Sequence, residues 1–309
     1  MNIYDLIIIG GGPAGCAGAV YSARKRLKSA IITSEWGGQS VVSPKIENWI
    51  GTPAISGIDF AKNLKDHVMT YAGEFLDIIE GENVEKIEKD GEKFKVTTFS
   101  GKTFETKAVL ITTGSGRRKL NIKGAEEYEN KGITYCATCD APLFDGQDVV
   151  VIGGGNAGFE TAIQLTSYAK SVTLLNRSEN FRADAITVEK VLENQKIKAI
   201  KNVELIEVTG EQFVSGISYK DKTTGEVTTL PVTGIFVEIG QIPNTNFVKG
   251  VVTLDQYEKI IVDPITQMTS LPAIWAAGDA TNGLYHQNNI ASGDAVKALE
   301  NIYYYLHTK

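Results

Sequence analysis

The chain begins with an apolar block followed by a glycine-rich block. Residues 4–9 form an apolar run rich in β-branched side chains, which leads directly into a glycine-rich turn at residues 10–15. Alanine and serine dominate from there to Arg24, and a second β-rich run follows at residues 29–33. This order predicts a strand, a tight turn, a helix and a parallel strand, which together make one βαβ unit.

The same order recurs in the second half of the chain. Residues 148–152 are apolar, residues 153–158 read Gly-Gly-Gly-Asn-Ala-Gly, and a helix-like stretch continues to Tyr168. Another β-rich segment follows at residues 171–175. The repeat predicts a second βαβ unit and indicates an internal duplication.

Short β-rich segments separated by turn residues follow each βαβ unit. They occupy residues 84–109 in the first half and residues 203–232 in the second, and both stretches predict antiparallel meanders. Residues 292–306 have helical spacing. The second half therefore resembles a shorter copy of the first.

Length, charge and composition indicate the number of domains and argue against some classes of partner. A chain of 309 residues is longer than one hydrophobic core comfortably organises, so two domains are expected. The net charge of −6 argues against a nucleic-acid partner. Because no apolar run approaches the length of a membrane span and the first residues lack a basic signal-peptide region, we expect no membrane association and a cytoplasmic location.

The two glycine-rich turns match the G-x-G-x-x-G pattern of dinucleotide-binding sites. Such a turn lets a pyrophosphate approach backbone N–H groups at a helix N-terminus. One copy alone could serve helix packing, but two copies in strand-turn-helix context favour two bound dinucleotides. The predicted binding residues are Gly10, Gly12 and Gly15 in the first copy and Gly153, Gly155 and Gly158 in the second.

Residues at the ends of the second strands indicate which dinucleotides bind. Glu35 lies where a carboxylate can accept hydrogen bonds from adenosine ribose hydroxyls, although a solvated loop residue is the alternative. The equivalent place in the second copy holds Arg177, with Arg182 shortly after. Arginine there favours the 2′-phosphate of NADPH over NADH, and surface arginines without a ligand are the alternative.

Between the two turns lies the pentapeptide Cys136-Ala137-Thr138-Cys139-Asp140. The C-x-x-C spacing lets two sulfurs close a small disulphide ring and supports exchange with an outside disulphide. Asp140 offers an adjacent carboxylate that could shuttle protons. This arrangement predicts a redox enzyme.

Zinc binding is the competing interpretation of the cysteine pair. It requires two further Cys or His ligands at compatible spacing. No second ligand pair is visible in the sequence, so no metal site is predicted. The remaining candidates are Cys16, His67, His286 and His307.

With these motifs in view, the chain resembles the low-molecular-weight thioredoxin reductases and the related flavoprotein subunit of alkyl hydroperoxide reductase. The resemblance runs from end to end and depends on the order of its motifs. Besides the two glycine turns and the cysteine pentapeptide, they are residues 37–39, 47–49, 112–114, 278–279 and 285–287.

The resemblance implies an α/β fold with two Rossmann-like dinucleotide-binding domains, each of three layers (ββα), the second inserted into the first. FAD would bind a discontinuous domain of residues 1–117 and 246–309. NAD(P)H would bind residues 118–245, which also carry the redox-active dithiol. Rotation of the inserted domain about its two linkers would let one dithiol meet both the flavin and a partner protein.

The resemblance also implies roles for individual residues. Cys139 would approach the flavin, Cys136 would attack the disulphide of the protein substrate, and Asp140 would act as acid and base. Around the FAD, the resemblance adds residues to the glycine turn and Glu35: Gln39 and Asn48 near the flavin, Asp279 at the ribityl chain, and Gly114 and Gln287 from their motifs.

Electrons would pass from NAD(P)H through FAD and the Cys136–Cys139 disulphide to a thioredoxin-like or glutaredoxin-like protein. The family commonly forms homodimers. Three alternatives stay open: the reductase component of a peroxiredoxin system, a flavin-based sensor, and a ferredoxin-linked reductase with a weak nicotinamide site.

Several departures from the family pattern keep the electron donor open. Thioredoxin reductases that prefer NADPH usually have His-Arg-Arg where this chain has Asn176-Arg177-Ser178. Gly158 and residues 139–144 are closer to the peroxide-reductase flavoprotein, some members of which use NADH. The N-terminal thioredoxin-like domain of that flavoprotein is expected to be absent, because the first βαβ unit begins at residue 4.

Overall fold

The computed structural model describes residues 3–43 and 45–308. In chain order the described strands are β1 Tyr4–Gly11, β2 Ser29–Trp36, β3 Leu76–Glu80, β4 Val84–Asp90, β5 Lys93–Thr98, β6 Thr103–Ile111, β7 Ser115–Arg117, β8 Ile133–Thr134, β9 Asp148–Ile152, β10 Ser171–Leu175, β11 Ile197–Ile200, β12 Val203–Gly210, β13 Val214–Asp221, β14 Val227–Leu230, β15 Gly234–Val237, β16 Gln241–Pro243 and β17 Ile274–Ala276. The α-helices are α1 Pro13–Arg24, α2 Gly57–Met69, α3 Ala137–Asp140, α4 Asn156–Leu165, α5 Ala185–Leu192 and α6 Asn288–Thr308. Short 3₁₀ helices occupy Gly38–Val42, Ala141–Phe144 and Asn246–Val248.

The chain divides into two compact units. The first is formed by both ends of the chain, up to Gly116 and from Ile242 onward, and the second is Arg117–Gln241. The second boundary thus lies before the predicted break between residues 245 and 246. The reason is local hydrogen bonding, since Asn244 donates its backbone N–H to the Gly114 carbonyl at 3.0 Å and its side-chain amide to the Thr113 carbonyl at 2.9 Å.

The first unit contains a seven-stranded sheet in the order β3-β2-β1-β6-β5-β4, with β17 also paired to β6. Strands β3, β2, β1, β6 and β17 are parallel, and β6-β5-β4 form the predicted antiparallel meander. Strand β1 reads as a continuous apolar run because it is buried on both faces. Strand β6 therefore belongs both to the parallel sheet and to the meander.

The second unit has three layers. A parallel sheet has the order β11-β10-β9-β15-β8, and a separate antiparallel sheet has the order β12-β13-β14. Alternate residues of β9 face different layers: Val150 and Ile152 pack with the meander, whereas Val149 and Val151 pack with α4. The predicted α/β class with two βαβ units is confirmed, including the bounds of β9 and β10.

Three helix ends differ from the sequence predictions, including the end of α6 at Thr308 in place of residue 306. Helix α4 ends at Leu165 and not at Tyr168, because Thr166, Ser167 and Tyr168 make turn-type hydrogen bonds to the carbonyls three residues back. Helix α6 begins at Asn288, before the predicted start at residue 292. Within the described ranges, no helix is long and apolar enough to cross a membrane.

Candidate dithiol site and dinucleotide-binding turns

The first glycine turn is closed against protein on one side and open on the other. Gly10 has φ +114°, and a Cβ atom on Gly15 would overlap the Gly10 carbonyl oxygen. Gly12 is the N-cap of α1, and a Cβ atom there would have no protein atom within 4 Å. Glycine is therefore required by the fold at Gly10 and Gly15, whereas Gly12 leaves space for a ligand to approach.

The second turn repeats this geometry. Gly153 has φ +130°, and a Cβ atom on Gly158 would overlap the Gly153 carbonyl oxygen. Gly155 is the N-cap of α4 and again faces open space. In both turns the first and last glycines pack against protein, whereas the middle glycine faces open space.

Both turns fit a dinucleotide pyrophosphate. Within the described residues, neither α1 nor α4 has a side-chain cap or an acidic residue in its first turn. Their first backbone N–H groups and the positive ends of their helix dipoles are therefore available to an anion. This arrangement suits the bound diphosphate of a dinucleotide at each turn.

In the first unit, two predicted flavin-side residues from distant parts of the chain come together. The Asn48 side chain donates to Oε1 of Gln287 at 3.1 Å, and Asn289 donates to the Asn48 carbonyl at 2.8 Å. Ser40 donates to Oδ1 of Asn288 at 2.9 Å. These bonds fix the loop after β2 to the start of α6.

The other predicted residues of the first unit lie at strand and loop ends. Glu35 is exposed near the end of β2, and its carbonyl accepts the Thr33 hydroxyl at 2.5 Å. Gln39 is exposed in the 3₁₀ helix Gly38–Val42. Gly114 has φ +63° and follows the carboxyl end of β6. Glu35, Gln39 and Gly114 remain predicted cofactor-binding residues.

Asp279 belongs to a chain of polar contacts that the sequence did not predict. Nδ1 of His286 lies 3.4 Å from Oδ1 of Asp279, and Nε2 of the same ring lies 2.9 Å from Nζ of Lys259. Burial lowers the pKa of Lys259, although Asp255 and Asp279 oppose this shift. Lys259 has no motif around it, so only the fold could identify it.

The loop after β10 carries the predicted phosphate-binding arginines. Asn176 is buried and donates to the carbonyls of Ser178 and Asn180 at 2.6 and 3.2 Å, which folds the loop back on itself. Arg177 and Arg182 are exposed on this loop. The buried, hydrogen-bonded amide therefore accounts for asparagine, in place of a cation, at the first position of the triplet Asn176-Arg177-Ser178.

The fold adds a further cation to this loop. Nζ of Lys222, from the turn after β13, donates to the Arg177 carbonyl at 2.7 Å. The backbone N–H of Arg182 donates to the Gly154 carbonyl at 2.8 Å, which ties the loop to the glycine turn. Sequence reasoning missed Lys222 because its position depends on the pairing of the meander.

Cys136 and Cys139 form a disulphide in the second unit, with their Cα atoms 5.3 Å apart. Cys136 is the N-cap of α3, and its carbonyl accepts the backbone N–H groups of Cys139 and Asp140 at 3.2 and 3.0 Å. One helical turn thus holds both sulfurs together. The remaining cysteine, Cys16, is buried, and burial raises its pKa to about 12, which disfavours the reactive thiolate form.

Asp140 has an environment suited to holding a proton. Thr134 donates its hydroxyl to Oδ2, whereas Oδ1 is buried without a hydrogen-bond partner among the described residues. Burial raises the pKa of Asp140, although the Thr134 hydrogen bond and the Arg117 guanidinium oppose this shift. A proton on the carboxyl group would relieve the buried oxygen of its charge.

Glu238 is a second partly buried carboxyl group that sequence reasoning missed. It directly follows β15, and Thr161 donates to its Oε1 at 3.0 Å. A comparison of the two copies could have revealed it, because the equivalent position after β6 in the first unit holds the neutral residue Thr112. Across residues 3–43 and 45–308, no group of three or more His, Cys, Asp and Glu side chains is placed to hold a metal ion.

Comparisons with known proteins agree with these features. A family model described as pyridine nucleotide-disulphide oxidoreductase matches residues 4–295. The chain is 40% identical over 303 residues to the F subunit of alkyl hydroperoxide reductase from Staphylococcus aureus (strain MSSA476), covering 98% of this chain and 59% of that protein. It is 37% identical over 303 residues to a protein named NADH dehydrogenase of Bacillus subtilis (strain 168), covering 98% and 58%. The chain therefore spans less than three fifths of these curated relatives.

Solved structures match over nearly the whole chain. Thioredoxin reductase from Streptococcus pyogenes MGAS5005 is 36% identical with a TM-score of 0.91, and 99% of each chain is covered. Thioredoxin reductase from Giardia duodenalis is 31% identical with a TM-score of 0.93 and the same coverage. These relatives confirm the resemblance predicted from the motifs. The chain belongs to the pyridine nucleotide-disulphide oxidoreductase family.

Proposed function

We propose that the protein is an FAD-dependent NAD(P)H:disulphide oxidoreductase of the thioredoxin reductase type, with a thioredoxin-like or glutaredoxin-like protein as its substrate. The observation that carries this proposal is the Cys136–Cys139 disulphide beside Asp140, in the same unit as a complete G-x-G-x-x-G turn. When bound, FAD would accept a hydride from NAD(P)H and supply the electrons that reduce this disulphide.

The two units would hold different dinucleotides. In the first unit, the open side of the glycine turn would bind the FAD pyrophosphate, and Glu35 would bind the adenosine ribose. The paired Asn48 and Gln287 would face the flavin side together with Gln39, Gly114 and Asp279. In the second unit, the turn at residues 153–158 would bind the NAD(P)H pyrophosphate, with Arg177 and Arg182 at its adenosine end.

The chain's own chemistry is thiol–disulphide exchange. The Cys136 thiolate would attack the substrate disulphide, form a mixed disulphide and release one substrate thiolate. Cys139 would then attack Cys136, which re-forms the intramolecular disulphide and releases the second thiolate. Asp140 would donate a proton to a departing thiolate and accept one from a thiol in the next cycle. Two electrons and two protons thus reach the substrate.

Replacing Asp140 by asparagine is expected to lower disulphide reduction about 100-fold at neutral pH, because a positioned acid contributes about that factor. Burial raises the pKa of Asp140, so its protonated form persists to higher pH than for an ordinary aspartate. Activity that uses this proton should fall as pH rises through the raised pKa, and Asp140→Asn should lack this limb. Asp145→Asn, an exposed neighbour, is the control. An unchanged pH profile in Asp140→Asn would remove the proposed role.

Replacing Arg177 or Arg182 by alanine is expected to raise the Michaelis constant for NADPH about tenfold and that for NADH less than about twofold, because only NADPH has a 2′-phosphate to pair with arginine. Steady-state kinetics with both donors would measure the difference. Lys131→Ala, an exposed cation before β8, is the matched control. Equal effects on the two donors would contradict a phosphate-binding role.

The central test is stopped-flow reduction of the FAD-loaded protein by NADPH and by NADH, followed by turnover with thioredoxin. Rapid flavin bleaching by one donor and multiple turnovers with thioredoxin would support the proposed function. Slow bleaching by both donors would contradict it. That outcome would favour a ferredoxin-linked reductase or a flavin-based sensor.

A second candidate is the reductase component of a peroxiredoxin system. It is favoured by the 40% identity to the F subunit of alkyl hydroperoxide reductase, of which the chain spans 59%. Turnover that requires an added thioredoxin-fold adaptor and a peroxiredoxin, with no reduction of free thioredoxin, would support this candidate over the first.

A further inference from the structure

Glu238 is held at the carboxyl edge of the parallel sheet in the second unit. Its backbone N–H donates to the Ile152 carbonyl at 2.8 Å, and its carbonyl oxygen would overlap a Cβ atom on Gly153. Its side chain accepts the hydroxyl of Thr161, which lies in α4. The carboxyl group is therefore held beside the glycine turn and the middle of α4.

The strand order indicates which part of a dinucleotide Glu238 would face. Strand β9, which leads into the glycine turn, lies between β10 and β15. Arg177 and Arg182 follow β10, so the adenosine half belongs on that side and the pyrophosphate at the turn. The nicotinamide half must then extend to the other side of β9. Glu238 follows β15 on that side.

The first unit shows that the fold does not need a carboxyl group at this position. Thr112 follows β6 as Glu238 follows β15, and its carbonyl oxygen likewise abuts the first glycine of the turn, Gly10. Its hydroxyl donates to the Ile9 carbonyl at 2.8 Å. A neutral side chain therefore satisfies the same backbone arrangement, so the carboxyl group of Glu238 calls for another explanation.

The surroundings of Glu238 make its charge sensitive to pH. Burial raises its pKa to about 6 and the Glu160 carboxylate adds to the shift, whereas the Arg117 guanidinium and the Thr161 hydroxyl oppose it. The group is thus ionised at neutral pH and protonated at pH 5. This provides a way to switch the charge without changing the sequence.

We infer that Glu238 is a specificity-determining residue that faces the nicotinamide ring and favours binding of its oxidised form over its reduced form. The oxidised ring carries a positive charge that the reduced ring lacks, so a nearby carboxylate attracts only the oxidised form. This inference rests on the proposed function, because it requires the second turn to bind NAD(P)H.

The test is isothermal titration of the FAD-loaded protein at pH 5.0 and 7.5 with two ligands. One is NADP⁺, and the other is its 1,4,5,6-tetrahydro analogue, whose ring is neutral and cannot donate a hydride. The ratio of the two dissociation constants cancels the ionisation of the shared 2′-phosphate. For the native chain, preference for NADP⁺ should increase about tenfold from pH 5.0 to 7.5. Glu238→Gln and Glu238→Thr should show no increase.

The adenosine fragment 2′,5′-ADP separates the possible failures. It lacks the nicotinamide half, so its affinity should be equal in the native chain and both variants. If 2′,5′-ADP and NADP⁺ bind but the ratio is the same at both pH values in the native chain, the role of Glu238 is refuted and the proposed function stands. If neither NADP⁺ nor NAD⁺ binds, both proposals are refuted. A pH-dependent ratio that persists in Glu238→Gln assigns the effect to another group and also refutes the inference.

Discussion

Cys136→Ser and Cys139→Ser should each reduce NAD(P)H-dependent disulphide turnover to background while leaving FAD bound. Serine cannot form a disulphide or a mixed disulphide, so the exchange sequence stops at its first or second step. The two cysteines lie in the unit Arg117–Gln241, whereas the proposed FAD-binding residues lie in the other unit. Turnover with thioredoxin measures the loss, and the absorbance spectrum of the purified protein measures the flavin.

Cys16 offers a matched control for the loss of a thiol. It is buried in α1, and its thiol contacts the Gly11 carbonyl at 3.4 Å. Cys16→Ala should retain turnover within about twofold, because a buried thiol with a strongly raised pKa takes no part in exchange. Turnover retained by Cys136→Ser would exclude the proposed exchange route, and loss of flavin in either variant would place the pair in a structural role.

Gly155→Val and Gly158→Ala are expected to abolish NAD(P)H binding for different reasons. A side chain on Gly155 would enter open space beside the N-terminus of α4, so it should block the pyrophosphate while leaving the fold intact. A side chain on Gly158 would overlap the Gly153 carbonyl oxygen, so it should separate α4 from β9. The first variant loses a ligand site and the second loses the packing that forms it.

Calorimetric titration with NADP⁺ and thermal unfolding distinguish the two effects. Gly155→Val should weaken binding at least about 100-fold with little change in melting temperature. Gly158→Ala should lower the melting temperature by more than about 5 °C. Gly225→Ala, in a turn of the meander where φ is +78°, is a control for glycine replacement away from the glycine turn. Normal binding by Gly155→Val would show that the open side of the turn is not the ligand side.

Local sequence patterns predicted the parts of the fold that depend on short segments. The bounds of β9 and β10 followed from apolar runs that end at glycine and asparagine, and the helix after each glycine turn followed from the same pattern. Helix α6 was predicted too short because its first turn contains the polar residues Asn288 and Asn289, whose side chains bond to the loop after β2. Polar residues bound to a distant loop give no helical periodicity.

The residues of the candidate site also divide into those set by short segments and those set by distant contacts. The cysteine pair and the glycine turns were visible because each is formed by consecutive residues. Lys222, Lys259 and Glu238 were missed because strand pairing and sheet order bring them to their positions. The resemblance to a family could not supply them either, since none of the three belongs to the motifs that carried it.

The discontinuity of the first unit affects how the chain is made on the ribosome. Its parallel sheet needs β17 beside β6, and its core needs α6 against α1, so both must wait for the segment that follows the inserted unit. The unit Arg117–Gln241 is continuous and is synthesised in full before that segment. Since domains generally fold as units during synthesis, the inserted unit can fold first while the N-terminal βαβ segment stays exposed to chaperones. Capture of the proposed flavin would then follow the synthesis of β17 and α6.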